Sequence, residues 1–122
     1  RPHLIRGSIL SSREANVSGD IVHLYGAKAA VEFTFTLPKT TSPKDVKTLA
    51  LTLMQTHSPR GLTVNGFHWK DRRWISWPLK DGTASAPEAA AFVNEENLQV
   101  NLQVTGNGQM SSEPVLEYET TR

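Results

Sequence analysis

The chain has 122 residues, 13 basic and 12 acidic, and no cysteine. That is the length of one ordinary domain, able to bury roughly two-thirds of its unfolded surface, and the missing cysteine excludes a disulfide framework and a thiolate zinc site. A net charge of +1 provides no broad field for nucleic acid or an anionic membrane surface, and no apolar run approaches the roughly 18 residues of a membrane-spanning helix.

In chain order, the first segments, 4–10 and 21–25, are short, strand-like and flanked by Gly or Ser. The strongest signal follows in Ala30-Val31-Glu32-Phe33-Thr34-Phe35-Thr36-Leu37, where apolar side chains fall on every second residue. Successive strand side chains point to opposite faces, so this pattern predicts a strand with one dry and one wet face. Segment 48–54 repeats it with Leu49, Leu51 and Leu53 inward. Segments 63–69 and 74–79 flank the charged tip Lys70-Asp71-Arg72-Arg73, which has hairpin length. Pro87-Glu88-Ala89-Ala90-Ala91-Phe92 carries a helical hint, too short for more than a single turn. Segment 98–104 alternates again, with Gln and Asn on the wet side, and 115–119 closes the chain.

Turn residues separate these strands at Ser18-Gly19-Asp20, at 38–43, at Ser58-Pro59-Arg60-Gly61, at Lys80-Asp81-Gly82 and at Gly106-Asn107-Gly108, the last read as a hairpin turn. Short strands at spacings of about 8–12 residues predict an all-β, antiparallel β-sandwich. Its core should hold Val31, Phe33, Phe35, Leu37, Leu49, Leu51, Leu53, Leu98, Val100, Leu102 and Val104. A chain that opens on Arg1-Pro2-His3 and closes on Thr120-Thr121-Arg122 reads as one domain, 1–122, excised from a larger protein.

Three stretches carry a family resemblance: Val31-Glu32-Phe33-Thr34-Phe35-Thr36-Leu37-Pro38; the hairpin 62–79 with Trp69, Arg73 and Trp74; and 98–105 followed by Val115-Leu116-Glu117-Tyr118. They resemble the galactose-binding-like jelly rolls, the sandwich of many carbohydrate-binding modules attached to bacterial glycoside hydrolases. The resemblance implies a jelly roll and a non-catalytic accessory module of an extracytoplasmic bacterial protein, with a glycan and the neighbouring domains of its parent as partners. It also implies a structural calcium held by two N-terminal carboxylates and an acid in the last strand. Here Arg13-Glu14-Ala15-Asn16 has an amide in place of one carboxylate, which leaves Glu14 and Glu117 as calcium candidates.

The residues themselves show no enzyme. There is no Gly-x-Ser-x-Gly elbow, and the acids are scattered over expected wet faces and turns. His23, His57 and His68 form no close pair on one face, although His68 and Asp71 bracket the start of the tip. Gly106-Asn107-Gly108 lacks the Lys-Ser and helix of a phosphate loop. Lys70, Arg72 and Arg73 beside two Trp residues form a basic tip, yet the balanced charge elsewhere argues against nucleic acid.

All three Trp residues, Trp69, Trp74 and Trp77, fall within nine positions of one another. Trp in a sandwich ordinarily closes the core, and alternation places Trp77 with Ile75 and Leu79 on one face, which predicts a core residue. Trp74 falls on the other face, and Trp69 shares a face with Phe67. Those two, with Asp71 and Arg73 to meet hydroxyls, are the candidate sugar-binding residues; Tyr25 and Tyr118 are lesser aromatic candidates. Two functions stay open: carbohydrate binding, and a structural or protein-interaction domain with no sugar ligand. Asn16-Val17-Ser18 fits the N-glycosylation pattern and suggests a surface loop.

Overall fold

The computed structural model describes residues 2–53 and 61–121. Met54, His57 and most of the turn expected at 58–61 lie outside the described residues.

The architecture follows from one pairing. Strand β5 (Ala30–Thr36) lies antiparallel to β11 (Gln99–Gly106), with Val31 opposite Val104, Phe33 opposite Leu102 and Phe35 opposite Val100. Between these pairs Glu32 faces Gln103, Thr34 faces Asn101 and Thr36 faces Gln99. Shifting the register by one residue would oppose every apolar side chain to a polar one and bring the wrong set inward, so the alternation fixes the register.

Around this pair one sheet forms in the order β2-β5-β11-β7-β8, with β2 (Ser8–Arg13), β7 (Leu62–His68) and β8 (Arg73–Trp77). The second sheet runs β1-β13-β6-β10-β9. It contains β1 (His3–Arg6), β6 (Val46–Thr52), β9 (Leu79–Lys80), β10 (Thr83–Ser85) and β13 (Val115–Thr120). The chain passes from sheet to sheet as it advances, at β1 to β2, β5 to β6, β6 to β7, β8 to β9 and β10 to β11, and both sheets contribute to one buried core, which makes the domain a β-sandwich. All the pairings in both sheets are antiparallel.

Of the expected core, Val31, Phe33, Phe35, Leu37, Leu49, Leu51, Leu53, Val100, Leu102 and Val104 are buried, joined by Trp77, Phe92, Leu116 and Tyr118. Leu98 departs from expectation. It is half-buried, precedes β11 and has a φ of 63°. Its N–H donates to the Asn94 carbonyl and its carbonyl accepts from Leu37 N–H, so it closes a turn instead of extending the strand.

Three other elements were not foreseen. Segment 4–10 is two strands in different sheets, and the chain changes sheet at Gly7, where a Cβ would stand 2.7 Å from the Phe35 ring and from the Thr34 carbonyl. A third, small sheet has the order β12-β4-β3, with β3 (Ala15–Ser18), β4 (Ile21–Leu24) and β12 (Gly108–Ser111). The turn at 106–108 therefore does not make a hairpin, because β12 leaves β11 and pairs with β4. The turn at 80–82 does make one: Asp81 and Gly82, at φ of 53° and 80°, join β9 to β10, the geometry a two-residue hairpin needs. The helical hint is a 3-10 turn, Ala89–Phe92.

Trp77 is 1% exposed, and its indole meets Phe92 edge-to-face at 5.3 Å. Both rings lie directly on Gly66 of the neighbouring strand. A Cβ there would overlap the Trp77 indole and stand 2.9 Å from Phe92 Cδ1. Gly66→Ala should therefore destabilise the fold by about 1–3 kcal/mol through overpacking. Trp77→Ala should cost about 3–5 kcal/mol through the hole it leaves. Urea unfolding followed by circular dichroism checks both, and a Gly66→Ala variant as stable as the parent would contradict the tight packing.

Candidate functional site

The sheet β2-β5-β11-β7-β8 has its other face toward solvent, and the β7–β8 hairpin puts aromatic rings at one border of it. Phe67 is opposite Trp74 across the two strands, while Gly66 and Ile75, one position away, point inward. Phe67 packs edge-to-face against Trp69 at 4.9 Å and against Trp74 at 5.3 Å. All three rings are half-buried.

The two candidate Trp residues differ in how they are held. Trp69 is anchored: its indole N–H donates to the Phe92 carbonyl at 3.0 Å, and its backbone N–H donates to Ala91 O at 3.3 Å. It ties the hairpin tip to the 3-10 turn that packs on the core. Trp74 has no hydrogen bond of its side chain among the described residues, so its exposed part is available to a ligand.

The tip is shaped by His68. Arg72, at a φ of 55°, donates its N–H to the His68 carbonyl at 2.7 Å. Asp71 donates its backbone N–H to His68 Nδ1 at 3.1 Å, and its carboxylate lies 3.8 Å from the same nitrogen. His68 and Asp71 thus form a turn lock. Asp71 and Arg73 are exposed, but strand alternation directs Arg73 away from the Trp74 side. Of the four candidates the hairpin brings Trp69 and Trp74 together around Phe67, and it separates Arg73 from them.

The solvent face continues from Trp74 in rows set by the register. One row runs Ser76, Asn65, Gln103, Glu32 and Ser11; beside it lie two pairings, Trp74 with Phe67 at the hairpin and Asn101 with Thr34 and Ser8 in the middle of the sheet. Thr34 Oγ1 donates to Asn101 Oδ1 at 2.7 Å, and Asn65 Nδ2 donates to Gln103 Oε1 at 3.2 Å. Both bonds use the amide oxygens of Asn101 and Gln103, leaving their NH2 groups to donate outward. The alternation of 98–104 revealed these amides as a wet face. That they share a sheet face with Phe67 and Trp74 became visible only with the strand order.

The calcium candidates are placed apart. Glu14, exposed and at a φ of 51°, accepts the Lys28 N–H at 2.9 Å and covers Gly26. Glu117 lies in β13 of the other sheet, between Leu4 and Ala50. Among the described residues no three His, Asp or Glu side chains converge as a metal site. Tyr118 is buried under His3, whereas Tyr25 is 60% exposed with His23 beside it.

A family model described as a domain of unknown function, DUF8815, matches residues 1–119. The chain belongs to the DUF8815 family. No curated protein matches it by sequence. Among solved structures, the DUF8815 chain is similar to a low-affinity xylan-binding module, CBM86, from the xylanolytic gut symbiont Roseburia intestinalis. The TM-score is 0.61 at 8% identity, over 99% of this chain and 96% of that one. At that identity the likeness concerns the fold, a β-sandwich.

Because Trp69 is anchored through its N–H, Trp69→Phe should lower stability by about 0.5–1.5 kcal/mol, the usual net worth of a hydrogen bond. Trp74→Phe, which removes no such bond, should stay within about 0.5 kcal/mol of the parent. Thermal melts of the two variants side by side check the difference; equal losses would contradict it.

Proposed function

We propose that this domain is a non-catalytic carbohydrate-binding module that takes a neutral glycan across the solvent face of the β2-β5-β11-β7-β8 sheet. The observation that carries the reading is that one sheet face holds both kinds of group: the Phe67 and Trp74 rings on β7 and β8, and on β7, β11 and β5 the polar side chains of Asn65, Gln103, Asn101 and Thr34, bonded in pairs. The flat C–H faces of sugar rings pack on aromatic planes, and ordered amides meet their hydroxyls at little entropic cost. The xylan-binding neighbour of the same fold makes a plant-type polysaccharide the first ligand to try. The galactose-binding-like resemblance and an extracytoplasmic location, within a larger bacterial protein whose other domains flank this one, belong to the same proposal.

A glycoside hydrolase working on this face would need two carboxyl groups across the scissile bond. Among the described pairings of this face, Glu32 is the single carboxylate. That supports binding without turnover. Asp71 and Arg73 sit at the rim on this reading, with Arg73 on the far side of the strand from Trp74.

The competing reading, a structural domain that docks on its neighbours, draws support from Leu4 and Leu10. These are 66% and 54% exposed on the edge strands β1 and β2. Affinity electrophoresis of the isolated domain in gels cast with xylan, mixed-linkage glucan and galactan separates the two. Trp74→Ala should weaken retardation by about 1–3 kcal/mol, the scale of one aromatic contact in a binding hot spot, without lowering the melting temperature by more than a few degrees. Migration unaffected by every polysaccharide would sink the carbohydrate reading and leave the docking one.

A further inference from the structure

Beyond the sheet face, a second concavity lies at the end of the sandwich where β5 finishes. The segment 38–45 folds toward the start of β1 and the end of β13 and leaves a cleft of about 530 Å³. Its walls include His3, Tyr118, Thr40, Thr41, Ser42 and Asp45. The volume falls in the range of small-ligand sites.

The chemistry of the lining is specific. The His3 imidazole is stacked on the Tyr118 ring, with centroids 5.0 Å apart and planes 25° from parallel. Tyr118 is buried, so it fixes the exposed imidazole as a flat plate at the cleft wall. Opposite it the loop offers three hydroxyls and the half-buried Asp45, whose carboxylate has no hydrogen-bond or ion-pair partner among the described residues. The loop is not slack. Thr41 N–H donates to the Pro38 carbonyl, Asp45 N–H to the Ser42 carbonyl and Thr121 N–H to the Asp45 carbonyl, each at 2.9 Å.

No Lys or Arg lines the cleft among the described residues. An anionic ligand is therefore disfavoured by Asp45. A carboxylate accepts strongly from two adjacent hydroxyls, Ser and Thr hydroxyls both donate and accept, and a flat ring suits the C–H face of a sugar. We infer that this cleft is a second saccharide site, taking a short neutral segment with adjacent hydroxyls and working separately from the sheet face. The inference rests on the proposed carbohydrate reading for the ligand class alone; its residues are all different.

The test is a ¹H–¹⁵N titration of the intact domain with xylotriose, cellotriose and galactobiose, and with tetramethylammonium as a cationic comparison. The backbone amides of Thr40, Thr41, Ser42, Asp45 and Thr121 should move with at least one of the three sugars and not with tetramethylammonium. Asp45→Asn should weaken the binding read at those amides by about tenfold or more, since a charged acceptor becomes a neutral amide. His3→Ala should weaken it as well. In both variants the sugar-dependent shifts at Asn65, Asn101 and Gln103 should stay as in the parent, and retained spectral dispersion shows that the variants fold.

Stationary cleft amides with all three sugars overturn the inference, even if the sheet-face amides move and the proposed function stands. A response to tetramethylammonium in place of sugar overturns it in favour of a cation site. Cleft amides that move while the sheet face stays silent uphold it and remove the sheet-face assignment instead.

Discussion

The facing of β5 against β11 is the constraint on which the remaining structure depends. Phe33 against Leu102 and Phe35 against Val100 fill the centre of the core, while Thr34 against Asn101 and Glu32 against Gln103 build the centre of the solvent face. One register produces both surfaces at once, because strand side chains alternate without exception between bulges. The polar face is therefore as well specified as the core beneath it: any slip that disordered Asn101 would also expose Phe33. A polar face made this way inherits its rigidity from burial on the opposite side.

Trp77, Phe92 and Trp69 connect that core to the hairpin tip. Trp77 packs on Phe92 inside, and the carbonyl of the same Phe92 accepts the Trp69 indole N–H outside. The 3-10 turn thus serves as a hinge pin between interior and rim. The arrangement carries a cost, since Trp77 Nε1 finds no acceptor among the described residues. An unsatisfied buried donor costs about 1–3 kcal/mol, which the burial of so large a ring offsets. Gly66 makes room for the indole by having no side chain, so the Trp needs the Gly as its neighbour.

Period-two alternation made β5, β6 and β11 legible in the sequence, since each buries one face. The inward place of Trp77 was readable from Ile75 and Leu79 for the same reason. Segment 4–10 was not, because a run such as Leu4-Ile5-Arg6-Gly7-Ser8-Ile9-Leu10 shows no break unless the Phe35 ring beneath Gly7 is known. The small sheet escaped because Ala15–Ser18 and Gly108–Ser111 are four residues each, too short for a periodicity to stand out, and both depend on β4 between them. For the candidate site, the hairpin and its rings could be read locally, but that the polar residues 34, 65, 101 and 103 share a sheet face with Trp74 follows from strand order, which is a long-range property. Alternation would have set Arg73 apart from Trp74 had it been applied to adjacent residues as well as to alternate ones.

The shape of the site bears on how tightly it could hold a ligand. The rings at the border of the sheet are half-buried and edge-on to Phe67, so each offers part of a face. A platform of partial aromatic planes and amides, with Glu32 as its single carboxylate, buries little area per sugar, which under the proposed reading means weak binding at one site. Weak sites become effective when linked, because the second contact on one polymer is intramolecular and its effective concentration is set by the linkage. Under the proposed reading, the sheet face and the His3–Asp45 cleft would act as two such contacts on one glycan chain, with neither deepened. Selection on such a domain would act on the spacing of its contacts along a glycan chain at least as much as on the strength of any single one.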